Sequence, residues 1–219
     1  MKKYFRTYAH YLSEIHKKEL ASKLSGKVLD IGCGSSDIKK YINFTEYIGL
    51  DTNPSVKNIS IVADAHNIPF ENEMFDSAIC IAVLEHVRNP ERVLREIYRV
   101  LKSSGKLLVA VPFLQPIHND PDDFWRWTEK GISMLLENTG FGIIESKGIN
   151  GFWSTIDYLF LKSSSKGHNV ISKAIMFTFY HLIKRLRRYL CIYPDPKIYS
   201  TAYFIFCRKK RNEYIDNQP

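Results

Sequence analysis

The chain reads as an α/β protein built on a doubly wound sheet, and three observations predict it. First, an apolar run containing Val28, Leu29 and Ile31 stops at two glycines one residue apart, Gly32 and Gly34. A polar Ser-Ser-Asp follows, and then Ile38 to Ile42 at the spacing of a helix start. Strand, glycine turn and helix open a nucleotide-binding βαβ unit. Second, short β-rich runs recur at 47–51, 59–65, 75–81 and 106–112. Runs apolar on both faces belong to parallel sheets covered on both sides. Third, Val93, Leu94, Ile97, Val100 and Leu101 fall on one helical stripe between two of those runs. Four βα units within about a hundred residues specify a parallel sheet with helices on both faces.

Length and composition agree with one such domain. At 219 residues, 45% hydrophobic and 25% charged, the chain suits one globular α/β domain with a sizeable core. Cys33, Cys80, Cys191 and Cys207 lie far apart, with no Cys-x-x-Cys pair and no His cluster at ligand spacing. Reduced thiols in a cytoplasmic protein are the simplest reading, and no metal is expected. Met1 to Arg6 lack the apolar core of a signal peptide. The formal charge of +8 is unevenly placed: residues 162–219 hold 12 Lys and Arg against 3 acids, and the remainder is close to neutral. That pattern argues for a local basic surface rather than a whole-protein nucleic-acid binder.

The elements follow in order. Residues 4–24 carry Tyr4, Tyr8, Tyr11, Leu12, Ile15, Leu20 and Leu24 near helical spacing. At the glycine turn, a dinucleotide site would place a third glycine where Asp37 stands, an anion in the seat of a diphosphate. Asp30, two residues before Gly32, adds a second carboxylate. Both features disfavour a pyrophosphate and suit a cationic ligand, such as the sulfonium and α-amino group of S-adenosylmethionine. Here the chain resembles the class I S-adenosylmethionine-dependent methyltransferases, whose first motif is Asp-x-Gly-x-Gly-x-Gly; Ser36 stands where the last glycine would be. The resemblance implies a Rossmann-like sheet, mostly parallel with an antiparallel last strand, and S-adenosylmethionine as cofactor. It also implies a leading helix that covers the substrate side, whereas simple packing on the sheet would explain that helix equally.

The second run ends at Asp51, 19 residues beyond Gly32, near the ~20 expected of a carboxylate that accepts from ribose hydroxyls. Thr52-Asn53-Pro54 then caps a helix or turn. By resemblance, Asp64 and Ala65 meet the adenine. Asp30, Gly32, Cys33, Gly34, Asp51, Thr52 and Ala82 complete the expected cofactor site. Ile68-Pro69-Phe70 and Ala82-Val83-Leu84-Glu85-His86-Val87 match further segments of the family. Asn89, Pro90 and Glu91 form a helix start with a cap, a first-turn proline and an acid at the positive end.

Beyond the fifth strand, residues 113–128 hold two prolines, a His, several acids, an Arg and two Trp. Loops past the carboxyl ends of parallel strands bind ligands in such folds. This insert resembles a methyltransferase subgroup of surface-polysaccharide gene clusters. If the acceptor is a hydroxyl, a base must take its proton. His118 is the first candidate and His86 the second, with Asp122 or Asp123 orienting His118 or replacing it. Trp125 and Arg126 are candidates for acceptor binding, the first by its ring face and the second by pairing an anion. The alternative is that both Trp are core and that Arg126 pairs with Asp122 or Asp123. Thr128 caps a helix to Asn138, and a sixth strand runs from Gly140 to Lys147.

Residues 149–198 form a basic, helical insertion before a last strand over 199–211. Residues 169–190 have one apolar side and a cationic end at Lys184, Arg185, Arg187 and Arg188. Too charged to span a bilayer, this helix suits the face of an anionic membrane, a lid over the site, or a dimer contact. The reading is a single methyltransferase domain, with a cover helix over 1–25 and a cofactor-binding core over 26–148. It would O-methylate a saccharide or lipid-linked glycan precursor from the cytoplasmic side. The alternatives are another small metabolite, an RNA, or a cofactor-binding scaffold without activity. No Asn-Pro-Pro-Tyr motif or Cys follows the fourth strand, which counts against nucleobase chemistry.

Overall fold

The structure, a computed structural model, describes residues 8–35, 37–118, 122–149, 151–152, 155–156, 178, 182, 185 and 199–210. Seven strands form one sheet: β1 (Ser25–Ile31), β2 (Asn43–Asp51), β3 (Ile61–Val62), β4 (Phe75–Ile81), β5 (Leu101–Pro112), β6 (Phe141–Ile149) and β7 (Ala202–Lys209), in the order β3-β2-β1-β4-β5-β7-β6. The first five are parallel to their neighbours, and β7 runs antiparallel between β5 and β6. Three helices, α1 (Tyr8–Ala21), α2 (Pro90–Val100) and α3 (Glu129–Asn138), cover the two faces.

The strands alternate with period two, so their near-continuous apolar runs divide into two cores. Leu29, Ile31, Ala78, Cys80, Leu107, Val109 and Ile205 point to the side of α2 and α3, where Val93, Leu94, Ile97, Val100, Ile132 and Leu136 are buried. Val28, Ile79, Leu108, Phe204 and Phe206 point the other way, against Leu20 and Leu24 at the end of α1. Each such aliphatic or aromatic burial contributes roughly 1.5–3 kcal/mol. The sequence of α2 sets its ends: the Asn89 Oδ1 accepts from the Arg92 amide at 3.0 Å, Pro90 opens the first turn, and Leu101 turns to extended backbone. Arg99 donates to the Ile68 and Phe70 carbonyls, and Glu96 accepts from the Ile68 amide, so α2 also anchors the loop before β4.

The helical content of the first half differs from expectation. Of the four expected βα units, only the β4–β5 crossover contains an α-helix. Between β1 and β2 stands one 3-10 turn, Ile38–Tyr41, and turns alone join β2 to β3 and β3 to β4. These connections are too short to offset the cost of nucleating an α-helix. The third strand is reduced to Ile61–Val62, because Asp64 turns its carboxylate onto the His66 amide at 2.9 Å and closes the chain away from the ladder. β5 starts earlier than expected: Leu101 pairs with Phe75, and the ladder resumes at Lys106 after a register shift. The sixth strand extends two residues beyond its expected end, and the last falls within the expected 199–211. The basic helix expected over 169–190 lies outside the described residues, apart from single helical positions at Thr178, Leu182 and Arg185. No helix of the described residues is long and apolar enough to cross a membrane.

Candidate active site

The site assembles at the carboxyl ends of β1, β2 and β4. After Ile31 the chain turns on Gly32 at φ +63° and Gly34 at φ +47°, conformations that residues with a Cβ rarely adopt. A side chain at Gly32 would also meet the Val83 Cγ2 at 2.3 Å, so this turn lies directly on the segment leaving β4. Gly34, by contrast, has open space beside its Cα. The Asp51 carboxylate, at the end of β2, accepts from the Gly34 amide at 3.0 Å and from the Asn53 amide at 2.9 Å. Thr52 is exposed beside it. The Asp64 Oδ1 is held by the His66 backbone and ring, and Ala65 is buried behind it. Ala82, the first residue past β4, sits at φ +56°, a strained conformation for a residue with a side chain.

Cys33 and Asp30 are buried under the turn. Burial and the nearby Asp30 and Asp51 push the Cys33 thiol up to about 11, so it stands there as a thiol. Asp30 is 3% exposed, accepts from the Tyr47 hydroxyl, and is raised by burial to about 7. An approachable backbone at Gly34, a carboxylate across it at Asp51 and another at Asp64 fit an adenosyl ligand of net positive charge. Those residues could hold S-adenosylmethionine.

The segment after β4 then meets the long loop between β5 and α3. The Phe124 amide donates to the Glu85 carbonyl at 2.7 Å, the Trp125 Nε1 donates to the Val87 carbonyl at 2.9 Å, and the His86 Nδ1 lies 2.5 Å from the Asp122 carbonyl. These bonds bring the His86 and His118 rings to a centroid separation of 5.1 Å, at right angles. Glu85, nearly absent from the expectations, lies in the same place: its side chain is 1% exposed and its Oε1 is 3.8 Å from the His86 Nε2. Burial raises its carboxyl above the ordinary range. The sequence signal for it was a carboxylate directly after the apolar run from Ala82 to Leu84.

Several expectations for this loop change. Asp122 meets His86 through its backbone carbonyl, not His118 through its carboxylate. Asp123 is the acid at His118: its Oδ2 accepts from the His118 amide at 2.8 Å and lies 3.4 Å from the His118 Nδ1. Of the two readings of Arg126, the structure has the pairing with Asp123. The guanidinium grips both carboxylate oxygens, with the Nη2–Oδ2 bond at 2.6 Å, and donates to the carbonyls of Gln115, Pro116 and Trp125. All five of its N–H donors are engaged inside the loop, which leaves none for an acceptor's anion. This pairing holds the Asp123 carboxyl well below the usual carboxylate range. Trp125 is partly exposed and stacks on Trp127 at 5.6 Å, and Trp127 packs on the core.

The strand order and the carboxylate-flanked glycine turn define a class I S-adenosylmethionine-dependent methyltransferase fold. Within it, residues 29–109 match the family described as "Methyltransferase domain", and that match implies S-adenosylmethionine as the cofactor. An uncharacterised protein of Methanocaldococcus jannaschii is 39% identical over 101 residues, 43% of this chain and 44% of its own. The tRNA (carboxymethyluridine(34)-5-O)-methyltransferase of Arabidopsis thaliana is 34% identical over 137 residues, 56% of this chain and 33% of its own. The crystal structure of a SAM-dependent methyltransferase from Archaeoglobus fulgidus superposes with a TM-score of 0.58 at 18% identity, covering 91% of this chain and 93% of that one. This last likeness is one of fold. The chain spans about half the length of the curated relatives it matches, between 44% and 59% for the first three.

Proposed function

We propose that this protein transfers a methyl group to an oxygen of a small hydroxylated acceptor, with a saccharide or lipid-linked glycan precursor as the class. One observation supports this most directly: the loop beyond β5 is hydrogen-bonded onto the segment leaving β4, and two imidazoles meet at that junction. S-adenosylmethionine, when bound, supplies an electrophilic methyl on a sulfonium with a good leaving group. The chain's part is to align the acceptor and to remove its proton. Alignment of well-oriented reactants supplies on the order of 7–11 kcal/mol.

Both imidazoles are oriented for proton removal. The His86 Nδ1 is 2.5 Å from a carbonyl, so in the neutral ring it bears the hydrogen and Nε2 carries the lone pair. The His118 Nδ1 lies 3.4 Å from both the Pro116 carbonyl and Asp123, which favours the same tautomer. A neutral imidazole is available as a base near pH 7. Phe124 and Trp125, both part-exposed, offer flat apolar faces of the kind that pack on sugar rings. Asp51, with both oxygens already aimed at the turn, would accept from ribose hydroxyls.

The test is transfer of labelled methyl from S-adenosylmethionine into a polysaccharide-precursor extract, with tRNA and a metabolite panel as the other arms. A labelled saccharide is the expected product, and label only in tRNA or in a non-carbohydrate metabolite would overturn the acceptor class. Cofactor binding without turnover on any arm would overturn the enzyme reading in favour of a scaffold. Asp51→Asn is expected to weaken cofactor binding by roughly 10–100-fold in calorimetry, the loss of a charge-assisted hydrogen-bond pair.

A further inference from the structure

Glu85, His86 and His118 present one ligand atom each, and those atoms lie within 4.8 Å of one another. Ligands about 2.1 Å from a common ion stand roughly 3–4 Å apart, so side-chain rotations that shorten the longest separation by about 1–2 Å close this set on a cation. The set has the features of a site already arranged. The Glu85 Oε2 is fully buried and has no hydrogen-bond partner among the described residues, an arrangement that costs free energy unless a cation or proton meets it. The His86 Nδ1 faces a backbone carbonyl, and the His118 Nδ1 faces Pro116 and a carboxylate. These are the outer-shell partners that orient metal-bound imidazoles and make them better ligands. Asp123 is in turn fixed by Arg126, so the outer shell is itself braced.

We propose that Glu85, His86 and His118 form a binding site for one divalent transition-metal ion where the loop beyond β5 meets the segment leaving β4. The inference deepens the functional reading above and rests on it only for the ion's role, not for its binding. Two imidazoles and one carboxylate with the remaining positions open suit a borderline ion such as zinc or cobalt(II) rather than magnesium or calcium. With the ion bound, both imidazoles are ligands instead of bases. An acceptor hydroxyl on an open position then loses its proton because the cation lowers its pKa, and the proton leaves to solvent. The ligand set was hidden in the sequence because His86 and His118 are 32 residues apart and on different loops.

Untagged protein, stripped with a chelator, would be titrated with zinc by calorimetry and with cobalt(II) by visible absorption. One ion per chain and the d–d bands of a four- or five-coordinate cobalt(II) are expected. Glu85→Gln and His118→Ala should each weaken binding at least about tenfold, with fold retention checked through binding of S-adenosylhomocysteine. Should Glu85→Gln not fold, His118→Ala, on the loop, decides alone. No binding to the wild type, or affinity unchanged in the variants that fold, overturns the site. Methyl transfer that persists in metal-free protein with no metal binding would sink this inference and leave the functional reading intact. Metal binding without any binding of the cofactor would do the reverse.

Discussion

Asp30 is a buried acid whose ionisation comes at a cost to the fold. It is buried beneath the glycine turn, accepts from Tyr47, and is raised by that burial from 3.8 to about 7. The folded protein therefore keeps a proton on Asp30 that the unfolded chain has released between those two values. Stability from this group is fully present below pH 3.8 and is lost as pH rises through about 7. Asp30→Asn keeps an acceptor for Tyr47 and removes the titration. We expect it to raise the neutral-pH stability by on the order of 2–4 kcal/mol and to flatten the stability profile between pH 4 and 7. Urea melts across that range would check it, and a variant less stable than wild type at pH 7.5 would contradict it. Asp51 differs: it is a strand-terminal acid whose two oxygens each accept one backbone amide of the turn and keep a lone pair for a further donor.

At the scale of elements, α2 is the one helical crossover between parallel strands in the described core, and its start is set by local chemistry. Asn89→Ala removes the side-chain acceptor for the Arg92 amide and should cost about 1 kcal/mol, read as a lower melting temperature by differential scanning calorimetry. This element was legible in full: cap, proline, acid and apolar stripe all lie within 89–101 and act locally. The strands were legible for a related reason, since two-sided burial writes itself as consecutive apolar residues at 78–81 and 107–111. The missing helices after β1 and β2 were not, because the same Ile38–Ile42 spacing serves an α-helix or a single 3-10 turn. Which one forms depends on how far the chain must travel before pairing with β1.

For the whole molecule, the loop clamp is what joins the two halves of the site. Arg126 ties Asp123, Gln115 and Pro116 together, and this fixes His118 against His86. Arg126→Ala should therefore leave cofactor affinity nearly unchanged while turnover falls on the order of 10–100-fold, the cost of acceptor groups held out of line. Calorimetry with S-adenosylhomocysteine beside steady-state rates would separate the two effects. An equal loss in both would mean that the loop shapes the cofactor site instead.

The strands themselves, the glycine turn and its attendant acids were set down in the sequence itself, because each depends on neighbours a few residues away or on a two-residue period. The partners of Arg126, the orienting role of the Asp122 carbonyl and the meeting of Glu85, His86 and His118 were decided only by the tertiary structure. The contacts of His86 join segments some thirty to forty residues apart and those of Arg126 reach up to 11 residues along the loop, and no local preference encodes which carboxylate or carbonyl a side chain will find once the loop has folded back onto the end of β4.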